Sequence, residues 1–201
     1  VNKDFAFYTI PFSLDPFDNE AFKNAGIDFY VTLTNVDSGQ AEYVKITDVF
    51  AQMETLRATS AMPFVSKPVE INGQKYLDSG IADSIPLGQC QTLGYDKIIV
   101  ILTRPLDYRK KPSGHFLIDA FYRNKPALAN KLKNRYLEYN QRIEEIIRLN
   151  ERQEIFVIRP SKTLPIHRLE KDPNKIRAMY DLGISDAKQA LGKLREYLLI
   201  T

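Results

Sequence analysis

The run Tyr76-Leu77-Asp78-Ser79-Gly80 places a carboxylate just after a short apolar stretch and just before a small, glycine-containing turn. Two roles are open to an acid in that position. It can fold back onto backbone N–H groups as an Asx-turn and only shape the chain. It can instead serve as a general base, if a hydroxyl or water comes within about 2.6–3.2 Å of one oxygen. The glycine suits either role, because a residue without a Cβ allows close backbone approach and accepts a positive φ.

Other reactive side chains are thinly spread. His115 and His167 are the only histidines and Cys90 the only cysteine, so a metal site has little support and no cofactor is expected. Either histidine could be offered as the last member of a Ser-Asp-His chain order. Their contexts, PSGHFL and PIHRLE, read as polar loops instead. Cys90 reads as a buried helix residue. Ser84 reads as a cap ahead of Pro86, and Ser60 as a small residue packed at a helix end. Ser79 is too close to Asp78 on one turn to face it as a nucleophile.

The elements around these residues follow from periodicity and punctuation. Residues 5–10 (FAFYTI) predict a strand or extended segment stopped by Pro11. Residues 14–26 predict turn chemistry and a short helix ending at Gly26. Residues 27–36 form a β-branched and aromatic run, a strand buried on both faces, with residues 41–46 pairing back through a turn at 37–40. Thr47 is the expected N-cap of a helix whose buried stripe is Val49, Phe50, Met53 and Leu56. Residues 68–71 and 75–78 predict a hairpin through Asn72-Gly73. Pro86 opens a short helix that ends near Gly94, and residues 97–102 (KIIVIL) read as a strand inside a parallel sheet. Further on, a long helix is expected over 125–151, capped by Asn124 with Pro126 in its first turn. A strand is expected over 154–160. A helix from Pro173 should stop at Gly183, with a last helix over 186–199. Strands alternating with helices predict an α/β layer fold.

The ordered set Ala58-Thr59-Ser60-Ala61-Met62-Pro63, then Tyr76-Leu77-Asp78-Ser79-Gly80, then Pro86, resembles the bacterial patatin-like acyl hydrolases. That family has an Ala-Ser-x-Ala-x-Pro helix end, a Tyr-x-Asp-Gly-Gly turn and a proline a few residues later. The clear similarity covers residues 27–103. Residues 104–201 look like the helical extension of some bacterial members. The resemblance implies a patatin-like α/β/α layered sheet, represented here by its C-terminal part, with a mostly helical extension. The implied domains are 1–107 and 108–201. It also implies lipid acyl ester hydrolysis by a serine–aspartate dyad, with Asp78 as the base and the turn Ser79-Gly80 supporting it. Such a dyad answers a plain demand: a serine hydroxyl is a poor nucleophile at neutral pH and needs a positioned acceptor for its proton.

The chain departs from that pattern twice. None of the serines at 13, 38, 60, 66, 79, 84, 113, 161 and 185 lies in a Gly-x-Ser-x-Gly elbow, and no glycine-rich oxyanion loop is present. By the family order both precede the acid, so the nucleophile is expected upstream of this chain, which alone should be inactive. In addition Ser79 occupies the family's middle glycine, at an expected cost of about 1–2 kcal/mol if its φ is positive. The alternative is a catalytically lapsed relative that serves as a lipid-surface or protein-binding module.

Bulk properties bound the rest. The chain has 201 residues, 44% of them apolar and 26% charged, enough for a core. No apolar run approaches the roughly 18 residues of a membrane span. A single cysteine and the lack of a signal-peptide pattern fit a cytoplasmic setting. The first 30 residues are crowded with aromatics, which reads as the interior of a longer protein. A missing N-terminal portion, or an oligomer, is then expected to cover the sheet. The net charge of +3 is too small to argue for nucleic acid. It is uneven, however: between 104 and 135 Arg104, Arg109, Lys110, Lys111, Arg123, Lys125, Lys131, Lys133 and Arg135 face only Asp107 and Asp119. That region is a solvated face, or a candidate contact for an anionic membrane surface. The expected ligand is a lipid or small acyl ester.

Overall fold

The computed structural model describes residues 2–166 and 170–199, so His167 lies outside the described residues. The chain forms two compact units. One comprises residues up to Pro86 together with Pro112–Tyr136. The other comprises Leu87–Lys111 and the residues from Leu137 on.

The first unit is built on a four-stranded sheet of order β2-β1-β4-β3, antiparallel at every pairing. Its strands are β1 (Phe29–Asn35), β2 (Ala41–Ile46), β3 (Val69–Ile71) and β4 (Gln74–Leu77). The β1–β2 hairpin runs in register from Phe29↔Ile46 to Thr34↔Ala41. Val31 through Asn35 are all buried, so β1 is covered on both faces, as its unbroken run of β-formers predicts. The β3–β4 hairpin turns through Asn72 (φ 50°) and Gly73 (φ 77°), the pair of positive φ values that an Asn-Gly turn supplies. Helix α1 (Asn19–Asn24) is capped by Asp18, whose side chain accepts from the Ala21 N–H at 2.8 Å.

Two predictions ahead of the β3–β4 hairpin fail locally. Residues Phe5–Leu14 are not extended but wind into a wide π-type helix, with the Asp15 N–H donating to the Ile10 carbonyl at 2.9 Å. No neighbouring strand edge pairs with them. Instead Phe12 stacks on Phe50 with ring centroids 4.0 Å apart, and the Tyr8 hydroxyl donates to Glu54 at 2.8 Å. Aromatic stacking has overridden a local β preference. Second, α2 (Met53–Thr59) starts six residues after Thr47. The Gln52 side chain accepts from the Thr47 and Asp48 N–H groups and Asp48 accepts from the Ala51 N–H, so tight turns occupy 47–52. The expected stripe still faces inward: Val49 and Met53 are buried with Val31 and Ile46, and Phe50 and Leu56 pack against them.

The main core of this unit gathers Leu33, Val69, Leu77 and Ile81 from the sheet region with Ala58 of α2. It adds Ile118 from α4 (His115–Tyr122) and Leu128 and Leu132 from α5 (Pro126–Glu151). Each fully buried leucine or isoleucine contributes about 1.5–3 kcal/mol. Helix α4 corrects the expectation of a polar loop at His115: Ile118 and Tyr122, four apart, provide an inward face that a short polar-flanked segment conceals.

The second unit holds a parallel pair, β5 (Ile98–Ile101) with β6 (Ile155–Ile158), in register from Ile98↔Ile155 to Ile101↔Ile158. The parallel pairing is as expected, but the burial is not: Ile99 and Ile101 are 41% and 72% exposed on this two-stranded ribbon. Helix α3 (Leu87–Thr92) follows Pro86, and Cys90 on it is half-buried, not buried. Helix α6 runs unbroken over Pro173–Leu199, through Gly183. A mid-helix glycine costs about 1 kcal/mol relative to alanine, which the helical bonds on either side absorb. Tyr197 of α6 is buried and its hydroxyl accepts from the Ile98 N–H at 3.1 Å, tying the helix to β5.

Candidate functional site: the Asp78 turn

Asp78 follows the last residue of β4 and its main chain is held from three directions. Its N–H donates to the Ala61 carbonyl at 2.9 Å, which joins it to the segment leaving α2. Its carbonyl accepts from the hydroxyl of Thr34 on β1 at 2.8 Å and from the Ile81 N–H at 3.2 Å. The same Thr34 hydroxyl accepts from the Ala82 N–H at 3.1 Å, and Thr34 is fully buried. Residues Ser79–Ile81 form one 3-10 turn, and the Ser84 hydroxyl donates back to the Gly80 carbonyl at 2.9 Å. Buried hydrogen bonds of this kind set the position of a backbone atom because leaving either partner unpaired costs about 1–3 kcal/mol.

The Asp78 carboxylate is half-buried and asymmetric. Oδ1 accepts from the Gly80 N–H at 2.8 Å, the Asx-turn contact. Among the described residues Oδ2 accepts no hydrogen bond, and no hydroxyl donates to either oxygen. One oxygen therefore fixes the rotamer and the other is left to receive a donor.

The glycine requirement is at Gly80, and it is one of space. Neither Ser79 nor Gly80 has a positive φ, so Ser79 in the family's glycine position carries none of the expected backbone strain. A Cβ on Gly80 would lie 2.9 Å from Asp78 Oδ1 and 2.9 Å from Arg135 Nη2. The guanidinium and the carboxylate thus both lie within 2.9 Å of the point a Gly80 Cβ would occupy. Gly80→Ala is expected to displace the Asp78 side chain with little loss of stability and, if Asp78 is a base in the full-length protein, to lower its turnover by about tenfold or more. Steady-state kinetics beside a melting curve check this; unchanged kcat would mean the acid is free to move without consequence.

The remaining sequence candidates are not brought to this carboxylate. The Ser60 hydroxyl donates to the Leu56 and Arg57 carbonyls at the end of α2, as a helix-end serine does. The Ser84 hydroxyl donates to the Gly80 carbonyl, and the Ile85 N–H donates to Asp83 Oδ1 at 3.2 Å. His115 opens α4 on an exposed turn. Thr34 and Arg135 escaped the sequence. A threonine within an apolar strand was a usable signal for Thr34; an arginine on a distant helix gave none. Among the described residues no three of His, Cys, Asp and Glu group as metal ligands.

The pattern of these contacts accounts for the motif spacing: Ala61, Asp78 and Gly80 meet at one turn. Residues 1–90 match the family model of the patatin-like phospholipases. Over those residues the chain is similar to that family. Residues 125–199 match a second model, a domain of unknown function (DUF6363). The chain is also 26% identical over 163 residues to an uncharacterized protein of Escherichia coli (strain K12), YjjU, an alignment covering 80% of this chain. It spans 45% of the length of that relative. The fold is α/β with a helical C-terminal part. No helix among the described residues is long and apolar enough to cross a membrane.

The same unit also contains an open cavity of about 550 Å³ between the sheet and α2, and Asp78 does not line it. Its polar wall is a network on Glu42. The Tyr76 hydroxyl donates to Glu42 Oε2 at 2.8 Å and Asn35 Nδ2 donates to Oε1 at 2.8 Å, so both carboxylate oxygens are occupied. Burial, and then the neighbouring Glu42 carboxylate, push the Tyr76 phenol up to about 12. Below pH 10 the phenol is protonated whether the chain is folded or not. Between about 10 and 12 the unfolded chain loses that proton while the folded one keeps it, so stability falls as pH rises through this window. Tyr76→Phe is expected to lose less stability over that range than the wild type, measured as urea midpoints at several pH values. Parallel curves would mean that the phenol ionises alike in both states.

Proposed function

We propose that this chain is the C-terminal portion of a serine acyl hydrolase that cleaves lipid acyl esters by a serine–aspartate dyad. Asp78 is the base, and polypeptide preceding this chain supplies the nucleophile and the oxyanion donors. The observation that carries the proposal is the one-sided saturation of Asp78: Oδ1 anchored to the Gly80 N–H, Oδ2 open. In the proposed first step Oδ2 takes the serine proton as the serine oxygen attacks the ester carbon. The tetrahedral intermediate then expels the alcohol, which leaves with that proton. Water repeats the sequence on the acyl-enzyme, with Asp78 again taking and returning the proton.

The preference for lipid acyl esters is supported by the patatin-like match alone. The φ of Ser79 is not positive, which removes one of the two departures that favour a lapsed relative; the other, the serine elbow, must come from outside these residues. The test is Asp78→Asn in the full-length protein, assayed with p-nitrophenyl butyrate.

A further inference from the structure

Helix α4 has two apolar faces. Ile118 and Tyr122 turn inward. On the opposite side Phe116, Leu117 and Phe121 are 84%, 63% and 66% exposed. With Ala120 they span an arc of about 140° at 3.6 residues per turn. The loop 63–66 lies against this helix and extends the surface. Phe64 packs on Phe121 and Tyr122 with ring centroids 5.4 and 5.3 Å away, and its N–H donates to the Tyr122 hydroxyl at 3.2 Å. Phe64 has φ 66°, a conformation a bulky residue rarely takes, and it holds Phe64 and Val65 outward at 44% and 69% exposure.

Cations flank the patch. Lys67 and Arg123, each a few positions from these apolar residues, are exposed and carry no ion pair among the described residues. The one acid on α4, Asp119, is ion-paired with Lys133. An exposed aromatic face with unopposed positive charge at its rim is complementary to a lipid interface with anionic headgroups.

We propose that α4 and the loop 63–66 form a seat on an anionic bilayer surface, with Phe116, Leu117, Phe121 and Val65 entering the headgroup layer and Lys67 and Arg123 meeting phosphate. This loop begins two residues after Ala61, whose carbonyl holds the Asp78 N–H. The seat would therefore present membrane-borne esters to the acid's turn, and that second part rests on the hydrolase proposal. The membrane binding itself does not.

The experiment is co-sedimentation of the full-length protein with phosphatidylcholine vesicles, with and without phosphatidylglycerol. The wild type is expected to pellet with the anionic vesicles at about 0.05 M salt and to be released at about 0.5 M. Phe116→Ser with Phe121→Ser should lower partition by roughly tenfold or more. Lys67→Glu with Arg123→Glu should abolish the preference for anionic lipid. Circular dichroism melts verify that both variants fold, and hydrolysis of soluble p-nitrophenyl butyrate should be unchanged in both. Failure of the wild type to pellet, or undiminished pelleting of the aromatic variant, overturns the seat. So does a concentration-dependent dimer in sedimentation velocity that the aromatic variant disperses, since the patch would then be covered by a second copy. Vesicle binding without ester turnover would leave the seat standing and remove the hydrolase proposal.

Discussion

Asp78→Asn in the full-length protein is expected to lower kcat for p-nitrophenyl butyrate by about 10²–10⁴ while leaving the fold intact. The two halves of that expectation have different causes. An asparagine side chain has the same shape and keeps an oxygen that can accept from the Gly80 N–H, now made at 2.8 Å. The backbone bonds to Ala61, Thr34 and Ile81 do not involve the side chain. The melting temperature should therefore move little. What changes is the second atom: an NH₂ donor replaces Oδ2 and cannot take a proton from serine. Turnover near the wild-type rate would remove Asp78 from the mechanism and leave it an Asx-turn residue. A collapse in melting temperature would instead mean that the carboxylate charge holds the turn, in which case the kinetic loss would say nothing about a base.

Gly39→Ala is expected to be the most damaging of the small substitutions in the sheet, at about 2–5 kcal/mol. Gly39 sits in the β1–β2 turn at φ +68°, which costs an alanine about 1–2 kcal/mol. Its added Cβ would also lie 2.9 Å from the carbonyl oxygen of Ala127 and 3.0 Å from the carbonyl carbon, in the first turn of α5. These are backbone atoms of a helix that also supplies Leu128 to the core, so they do not yield cheaply, and overpacking adds about 1–3 kcal/mol. Gly73→Ala is the control: φ is +77° but nothing lies within 4 Å of a new Cβ, so only the conformational cost applies. Urea midpoints of the two variants should differ clearly. Equal midpoints would show that the hairpin turn does not rest on α5 as described.

Much of the local structure was legible before any coordinates. Asn72-Gly73 announced its hairpin because a two-residue turn needs positive φ at both positions, which Asn and Gly adopt readily. The turn chemistry of residues 14–26 announced a short helix, α1, and the run 27–36 announced a doubly covered strand. The motif residues around Asp78 were likewise identifiable by type and order. Signals failed where a partner far along the chain outvoted the neighbours. Residues 5–14 have a strand's composition, but the rings of Phe12 and Phe50 stack and the segment coils instead. Gly183 looked like a stop, yet α6 continues through it. Thr47 looked like a cap, but the Gln52 side chain took its N–H.

By itself the sequence determined which residues are able to act: an acid on a small-residue turn, the alternation of strands and helices, and the absence of a serine elbow within these 201 positions. Only the tertiary structure decided how that acid is held. Thr34 from β1 and Ala61 beyond α2 hold its main chain, Arg135 from α5 lies beside Gly80, and the Gly80 N–H binds one of its two carboxylate oxygens. Side-chain type and short-range spacing are encoded within a few residues of one another. The choice of which distant hydroxyl, carbonyl or guanidinium meets them is made by packing, which no local stretch of the chain contains.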